Sequence, residues 1–310
     1  MPSNQTPLGA LPARFRRERV LVIGCGDVGV RVVAAQRHVR WLALTSSPER
    51  VSALRARGVV PLQGNLDQPQ TLRRLAGLAT RVLHLAPPPL SGSEDPRTRA
   101  LVQALAQRTP ARAWVYGSTS GVYGDCDGAW VDEHRPVRPE SPRAWRRVDA
   151  ERRLRSAARA LGVHLRVLRI PGIYAPDRVG GTPRERLLRG DPVLHAEQDV
   201  YTNHIHADDL ARACQLALWR GGALRTFHVS DDSTLRMGDY YTQAAALYGM
   251  AAPPRASREA VQAQVSAMQW SFMRESRRLR NQRMKQELRL RLRHPQVLEG
   301  LRAGATPAPR

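Results

Sequence analysis

Gly24, Gly26 and Gly29 follow an apolar run and precede a helix-like pattern, and their spacing suits them to hold phosphate. Val20-Leu21-Val22-Ile23 is long enough for a strand buried on both faces, and Cys25, Asp27 and Val28 complete the loop. Gly24 permits a tight turn, Gly26 lets backbone N–H groups approach a pyrophosphate, and Gly29 allows the next helix to pack on the strand. The helix N-terminus then offers its free donors and positive dipole end to the anion. A strand-to-helix junction with this spacing implies dinucleotide binding; a purely structural glycine turn is the alternative. His204-Ile205-His206 with Asp208-Asp209 is a second chemistry-bearing group, since alternate strand residues share a face and might suggest ligands for a metal. A strand end followed by an aspartate-capped helix accounts for the same residues, and no metal is expected.

The elements that would position these residues alternate. Arg40 to Leu44 reads as a second strand, and Ser47-Pro48 as the opening of a helix that Gly58 closes. Val59 to Leu62 is a third strand, Pro69 to Leu78 a helix, Val82 to Ala86 a fourth strand, Arg97 to Arg108 a helix and Ala113 to Tyr116 a fifth strand. A long helix from Arg143 to Ala160 then leads through Gly162 into a sixth strand, Leu165 to Ile170, which is expected to complete the sheet. Asp208 to Trp219 is helical, Thr226 to Val229 returns to strand, and the chain from Arg236 is mostly helical. Such alternation demands crossover helices on a parallel sheet, hence an α/β, doubly wound fold of the Rossmann kind with helices on both faces. The expected organisation is a flexible leader over 1–17 and a dinucleotide-binding domain over 18–170, to which 202–232 return. A smaller substrate-covering region over 171–201 and 233–302, and a frayed tail over 303–310, complete it. Trp145 is expected in the core, and His84 as a hydrogen-bonded sheet histidine.

Composition narrows the function classes. A chain of 310 residues can bury a large core, and neither a signal-peptide pattern nor a membrane-spanning apolar run is present, so a cytoplasmic location is expected. Cys25, Cys126 and Cys214 are too far apart in sequence for a disulfide framework or a CxxC metal motif. The net charge is +22, and Lys285 is the only lysine among 49 basic residues. Phosphate-bearing partners suit that balance in general. The arginines are spread along the chain, however, and the densest block, Arg274 to Arg293, reads as a solvated helix face. Nucleic acid and membrane are therefore not expected as partners; a homodimer is compatible with the sequence.

Several segments, in order, resemble the extended short-chain dehydrogenase/reductases, the family of the NAD-dependent epimerases and dehydratases. Gly24 to Gly29 looks like the cofactor loop of its atypical members, and Gly64-Asn65-Leu66 resembles the Gly-Asp-Leu after the third strand. Ser118-Thr119-Ser120-Gly121-Val122-Tyr123-Gly124 resembles the active-site segment, Pro171 to Pro176 the Pro-x-x-x-Tyr-Gly-Pro motif, and Ile205 to Ala211 the Ile-His-Val-Asp-Asp-Leu-Ala segment. The resemblance implies cofactor contacts at Ser46, Asn65, Leu66, Ala86 and Pro87 as well as the loop. It implies substrate contacts at Ser120, Tyr123, Tyr174 and His206, with Thr119 orienting the substrate.

The catalytic motif breaks the likeness. In the family register, anchored on Glu151, Arg143 stands at the tyrosine position and Arg147 at the lysine position. A guanidinium stays protonated, so neither arginine can relay the proton that the tyrosine would exchange. Arg143 and Arg147 are instead expected to bind an anionic group or the cofactor. At the end of the second strand Thr45-Ser46-Ser47 replaces the acidic residue that usually holds the ribose, with Arg50 close by, which favours NADP over NAD. The expected protein is an NAD(P)-binding oxidoreductase or epimerase-like enzyme of a small, acidic substrate. A non-catalytic dinucleotide sensor or partner-binding module is the alternative, and a non-specific nucleic-acid binder through the arginines the third. The loop assignment has a direct test: Gly26→Asp should abolish dinucleotide binding in calorimetry, because the new carboxylate repels the pyrophosphate.

Overall fold

The computed structural model describes residues 18–35 and 38–302; the expected leader and tail lie outside the described residues. Strand β1 (Arg19–Ile23) is central because Val20 to Ile23 are each fully buried. It pairs in parallel with β2 (Arg40–Thr45) on one side and β4 (Arg81–His84) on the other, with β3 (Val60–Gln63) beyond β2. On the other flank come β5 (Ala113–Thr119), β6 (His164–Ile170) and β7 (Arg225–His228), giving a sheet of seven parallel strands in the order β7-β6-β5-β4-β1-β2-β3. The sheet therefore does not end at Ile170; β7 pairs with β6 and extends it by one strand. The strand order reverses between β1 and β4, where such folds open a crevice at the carboxyl ends.

Side-chain alternation divides the core between the two faces. Val20, Val22, Ala43 and Val115 pack with Val32 of α1 (Asp27–Ala34) and with Leu210 and Cys214 of α5 (Ala207–Trp219). Leu21, Ile23, Trp114 and Tyr116 pack on the opposite face, with Leu101 of α3 (Pro96–Leu105) and Leu154 of α4 (Pro142–Leu161). Helix α4 is bounded by local chemistry: the Ser141 side chain accepts from the Ala144 N–H, Pro142 fills the first turn, and Gly162 takes the left-handed conformation at the end.

Two expected helices differ. Ser47-Pro48 forms a turn, with the Ser47 N–H bonded to Thr45 Oγ1, so α2 (Arg50–Ala56) begins after it. The segment Pro69–Leu75 is a 3₁₀ helix. Trp145 is 45% exposed, since the apolar face of α4 is carried by its alanines, Val148 and Leu154. The arginine block of the C-terminal region is not one helix face: it runs through a short strand, Arg278–Leu279, and a helix, Gln282–Glu287, and Arg277 is buried. The remaining chain builds a smaller lobe around Tyr174, Leu187, Val297 and helix α6 (Met237–Tyr248).

A buried polar network crosses the sheet side of α4. Glu151 takes both Arg169 Nε at 3.2 Å and Arg169 Nη2 at 2.7 Å, and accepts from Ser118 Oγ at 2.6 Å. Arg169 Nη1 donates to the Tyr123 hydroxyl at 2.6 Å, which lies 2.5 Å from His228 Nε2. Removing one partner of a buried pair leaves the other charge uncompensated. Glu151→Gln should therefore lower unfolding stability by about 3–5 kcal/mol, against about 1 kcal/mol or less for Arg153→Ala at a more exposed pair. Urea denaturation of the two variants checks this, and equal losses would contradict it.

Candidate functional site

The glycine loop sits at the strand-order reversal, and each glycine meets a different constraint. A Cβ on Gly24, whose φ is +83°, would lie 2.4 Å from the Ala86 nitrogen, so the crossing backbone of β4's extension excludes any side chain there. A Cβ on Gly29 would press on the Gly24 carbonyl at 3.3 Å. On Gly26 it would meet no protein atom within 4 Å; the space above that residue is open. Gly26 caps α1 without a side-chain hydrogen bond, leaving the helix N-terminus to a ligand. These features fit a dinucleotide's pyrophosphate.

A cavity of about 240 Å³ covers this loop and reaches Ser118, Thr119, Arg143 and Arg147. A larger one of about 550 Å³ continues into the smaller lobe, lined by Ser120, Tyr174, Phe272, Glu275 and Arg277 among others. Thr119, Arg143, Pro171, Ile173 and Arg178 line both, so the two cavities meet at these side chains. Thr119 ends β5 and its Oγ1 accepts from the Gly121 N–H at 3.2 Å, which fixes the side chain.

Arg143 and Arg147 are one helical turn apart on α4, but their surroundings differ. Arg147 Nη1 donates to the Tyr116 hydroxyl at 3.1 Å and to the Gly117 carbonyl at 2.9 Å. Burial pushes the Tyr116 phenol up to about 12, against the opposing pull of Arg147. Arg143 has no hydrogen-bond or carboxylate partner among the described residues; its Cζ lies 5.1 Å from the Phe272 ring centre. Burial, and then the charge of Arg147, push its pKa down, against the opposing pull of the Glu275 carboxylate.

Arg31 holds the floor of the cleft together, donating from Nη1 to Asp208 at 2.6 Å, from Nη2 to Asp177 at 2.8 Å and from Nε to Asp27 at 3.2 Å. It thereby ties α1 to α5 and to the segment that follows Tyr174. On the Cys25 side of the loop, Arg50 Nη2 donates to the Cys25 carbonyl at 2.5 Å. Burial pushes the Cys25 thiol up, while Arg50 and Arg57 pull it the other way. Ser46 is exposed beside them. Asn65 and Leu66 lie half-buried in the loop after β3, and the Asn65 amide oxygen already accepts from the Asp67 N–H at 3.0 Å. Arg97 bridges the two strand ends, holding Asp67 with two donors at 2.7 and 2.6 Å and the Pro87 carbonyl at 3.3 Å.

The four substrate positions do not all reach the cleft. Ser120 and Tyr174 line the larger cavity although both are buried, and the Tyr174 hydroxyl has no hydrogen-bond partner among the described residues. Tyr123 is 1% exposed and lines neither cavity: its hydroxyl is spent on Arg169 and His228. His206 also lines neither, because its Nδ1 accepts from the Asp208 N–H at 3.2 Å while its ring stacks on His294 with centres 3.9 Å apart. His206, Asp208 and His294 bring possible ligand atoms within 4.8 Å of one another, with Asp208 held by Arg31. His84 is buried against Thr98 Oγ1 at 2.9 Å, and burial followed by the Arg147 charge takes its pKa down to about 3. Sequence reasoning missed Arg178, Phe272 and Glu275. Arg178 lies in a stretch without periodicity, and Glu275 is flanked by arginines that read as solvated surface.

The family model of the NAD dependent epimerase/dehydratase family matches residues 20–229. The chain belongs to this family. A conserved protein of unknown function from Silicibacter pomeroyi is 30% identical, with a TM-score of 0.74 over 93% of this chain and 98% of that one. UDP-glucose 4-epimerase from Thermotoga maritima, solved with UDP-glucose, is 19% identical, with a TM-score of 0.75 over 93% and 97%. A dTDP-glucose 4,6-dehydratase from Streptomyces venezuelae, solved as a double mutant with NAD, is 21% identical, with a TM-score of 0.75 over 93% and 96%. No curated protein matches the sequence. No helix among the described residues is long and apolar enough to cross a membrane.

Arg143 and Arg147 have unlike surroundings, so their removal should differ in cost. Arg147→Ala should cost about 1–3 kcal/mol of stability by stranding the Tyr116 hydroxyl and the Gly117 carbonyl. Arg143→Ala, which breaks no hydrogen bond among the described residues, should stay within about 0.5 kcal/mol of the parent. Denaturant midpoints of both variants decide it.

Proposed function

We propose that this chain is an NADP(H)-dependent oxidoreductase or epimerase-like enzyme acting on a small anionic substrate, without the tyrosine–lysine relay of its family. The observation that carries the reading is the junction at Thr119 and Arg143, where the cavity over the glycine loop opens into the cavity of the smaller lobe. When bound, a nicotinamide dinucleotide supplies hydride transfer. The chain's own residues do the rest. Thr119 Oγ1, held by the Gly121 N–H, orients a substrate hydroxyl or carbonyl. Arg143, exposed to the cavities and without a hydrogen-bond partner among the described residues, takes the substrate's negative group. Arg147 keeps its cation against Tyr116 and the floor of the nicotinamide end.

Proton transfer falls to another group in this reading. Glu275 lines the larger cavity with Thr119 and Arg143, and is held at one oxygen by Arg277 Nη1 at 2.8 Å. A carboxylate can exchange a proton where a guanidinium cannot, so Glu275 is our candidate. Arg50 and Arg57, placed by the Cys25 end of the loop with no carboxylate partner among the described residues, support a 2′-phosphate and thus NADP. The neighbours solved with NAD support the dinucleotide class. The engagement of Arg147 with Tyr116 favours a second reading, a dinucleotide-binding sensor without turnover.

Calorimetry with NADPH and NADH, followed by a screen of acidic carbonyl and sugar-nucleotide substrates for cofactor turnover, separates these readings. NADPH is expected to bind more tightly, and Arg50→Ala should weaken NADPH about tenfold while changing NADH about twofold or less. Turnover lost in Glu275→Gln supports the enzyme; binding with no turnover of any substrate supports the sensor. Equal affinity for both dinucleotides would overturn the NADP assignment.

A further inference from the structure

Beyond Asn203 and residues 277–279 lies a third cavity, of about 350 Å³, that none of the roles above uses. Arg277 lines the substrate cavity and Arg278, its neighbour in sequence, lines this one, as successive residues of an extended chain should. Asn203 stands in the partition: its Nδ2 donates to the Arg277 carbonyl at 2.9 Å and its Oδ1 accepts from the Leu279 N–H at 2.9 Å. The partition is thus pinned on both sides of Arg278.

Trp130, 43% exposed, forms one wall, with the guanidinium carbons of Arg278 and Arg280 5.1 and 5.6 Å from its ring centre. Neither guanidinium has a carboxylate partner among the described residues. Arg278 Nε donates to the Gly128 carbonyl at 2.7 Å, and Arg280 makes no side-chain hydrogen bond among them. Lys285, in contrast, is neutralised by Asp232 at 2.6 Å. Two cations gathered at one indole repel each other, and an anion between them removes that cost. Asp231 also lines the cavity at 4% exposure; its Oδ1 accepts from the Ser233 N–H at 3.0 Å, and its Oδ2 is buried without a hydrogen-bond partner among the described residues. Burial pushes this carboxyl well above the usual carboxylate range. A volume of this order accepts a small metabolite.

We propose that this cavity is a second, phosphate-binding site for a small phosphorylated metabolite, gripped by Arg278 and Arg280 beside Trp130. Planar guanidinium forks match phosphate oxygens. The test titrates the full chain with inorganic pyrophosphate and with AMP, followed by calorimetry and indole fluorescence. Binding of either probe that is reported by the indole is expected in the parent and is retained in Gly26→Asp and Arg143→Ala, which remove binding of the same probes at the other cavities. Arg280→Ala, a substitution at an exposed side chain, should weaken it by about tenfold or more, and Trp130→Phe should abolish the fluorescence response. A preference for AMP names a nucleotide as the source of the phosphate, and a preference for pyrophosphate names the phosphate group alone. Absence of binding by both probes at millimolar concentration overturns the proposal. So does binding that Arg280→Ala leaves intact while Gly26→Asp or Arg143→Ala removes it.

Discussion

The buried pair of Glu151 and Arg169 is the constraint on which the cleft depends. It joins α4 to β6, and through Ser118 it holds the end of β5, so the residue that follows, Thr119, has one available position. Placing two charges in a sheet interior is costly, and the cost is offset here because the remaining donors and acceptors are also used: Tyr123, His228 and the Arg280 carbonyl complete the chain of bonds. The same network explains why Tyr123 lines neither cavity of the cleft. Its hydroxyl is part of the scaffold.

Arginine is used in two distinct ways in this molecule. Arg31, Arg97 and Arg169 are fully answered by carboxylates and act as struts between elements far apart in sequence. Arg50, Arg143, Arg278 and Arg280 have no carboxylate partner among the described residues, and each faces a cavity or the glycine loop. The net charge of +22 therefore does not describe the site by itself. What matters is which cations the fold leaves unanswered.

The fold was legible wherever burial and backbone geometry decide the sequence. The run Val20 to Ile23, the glycines after it and the Ser141-Pro142 to Gly162 frame of α4 all carry their structural reason in local residue types. The turn at Ser47-Pro48 was misread because Thr45 captures the Ser47 N–H, a contact that competes with a helix cap and leaves no periodic trace. Seeing β7 join the sheet requires a pairing across more than fifty residues. The cleft was legible at Thr119 and Arg143, which sit in ordered motifs. Glu275 and Arg178 were not, since they come from irregular segments whose position is set by tertiary contacts alone.

Lys285 is the only lysine of the chain, and it stands at the rim of the cavity beside Trp130, paired with Asp232. Wherever arginine has taken the place of lysine, the protein has lost ε-amines that can be acylated or can condense with a carbonyl, while keeping the charge. Side-chain amine chemistry is therefore confined to one point of the surface. Reductive methylation would install one side-chain isotopic reporter at this rim, accompanied by that of the terminal α-amine alone, without the background that an ordinary lysine-rich surface imposes.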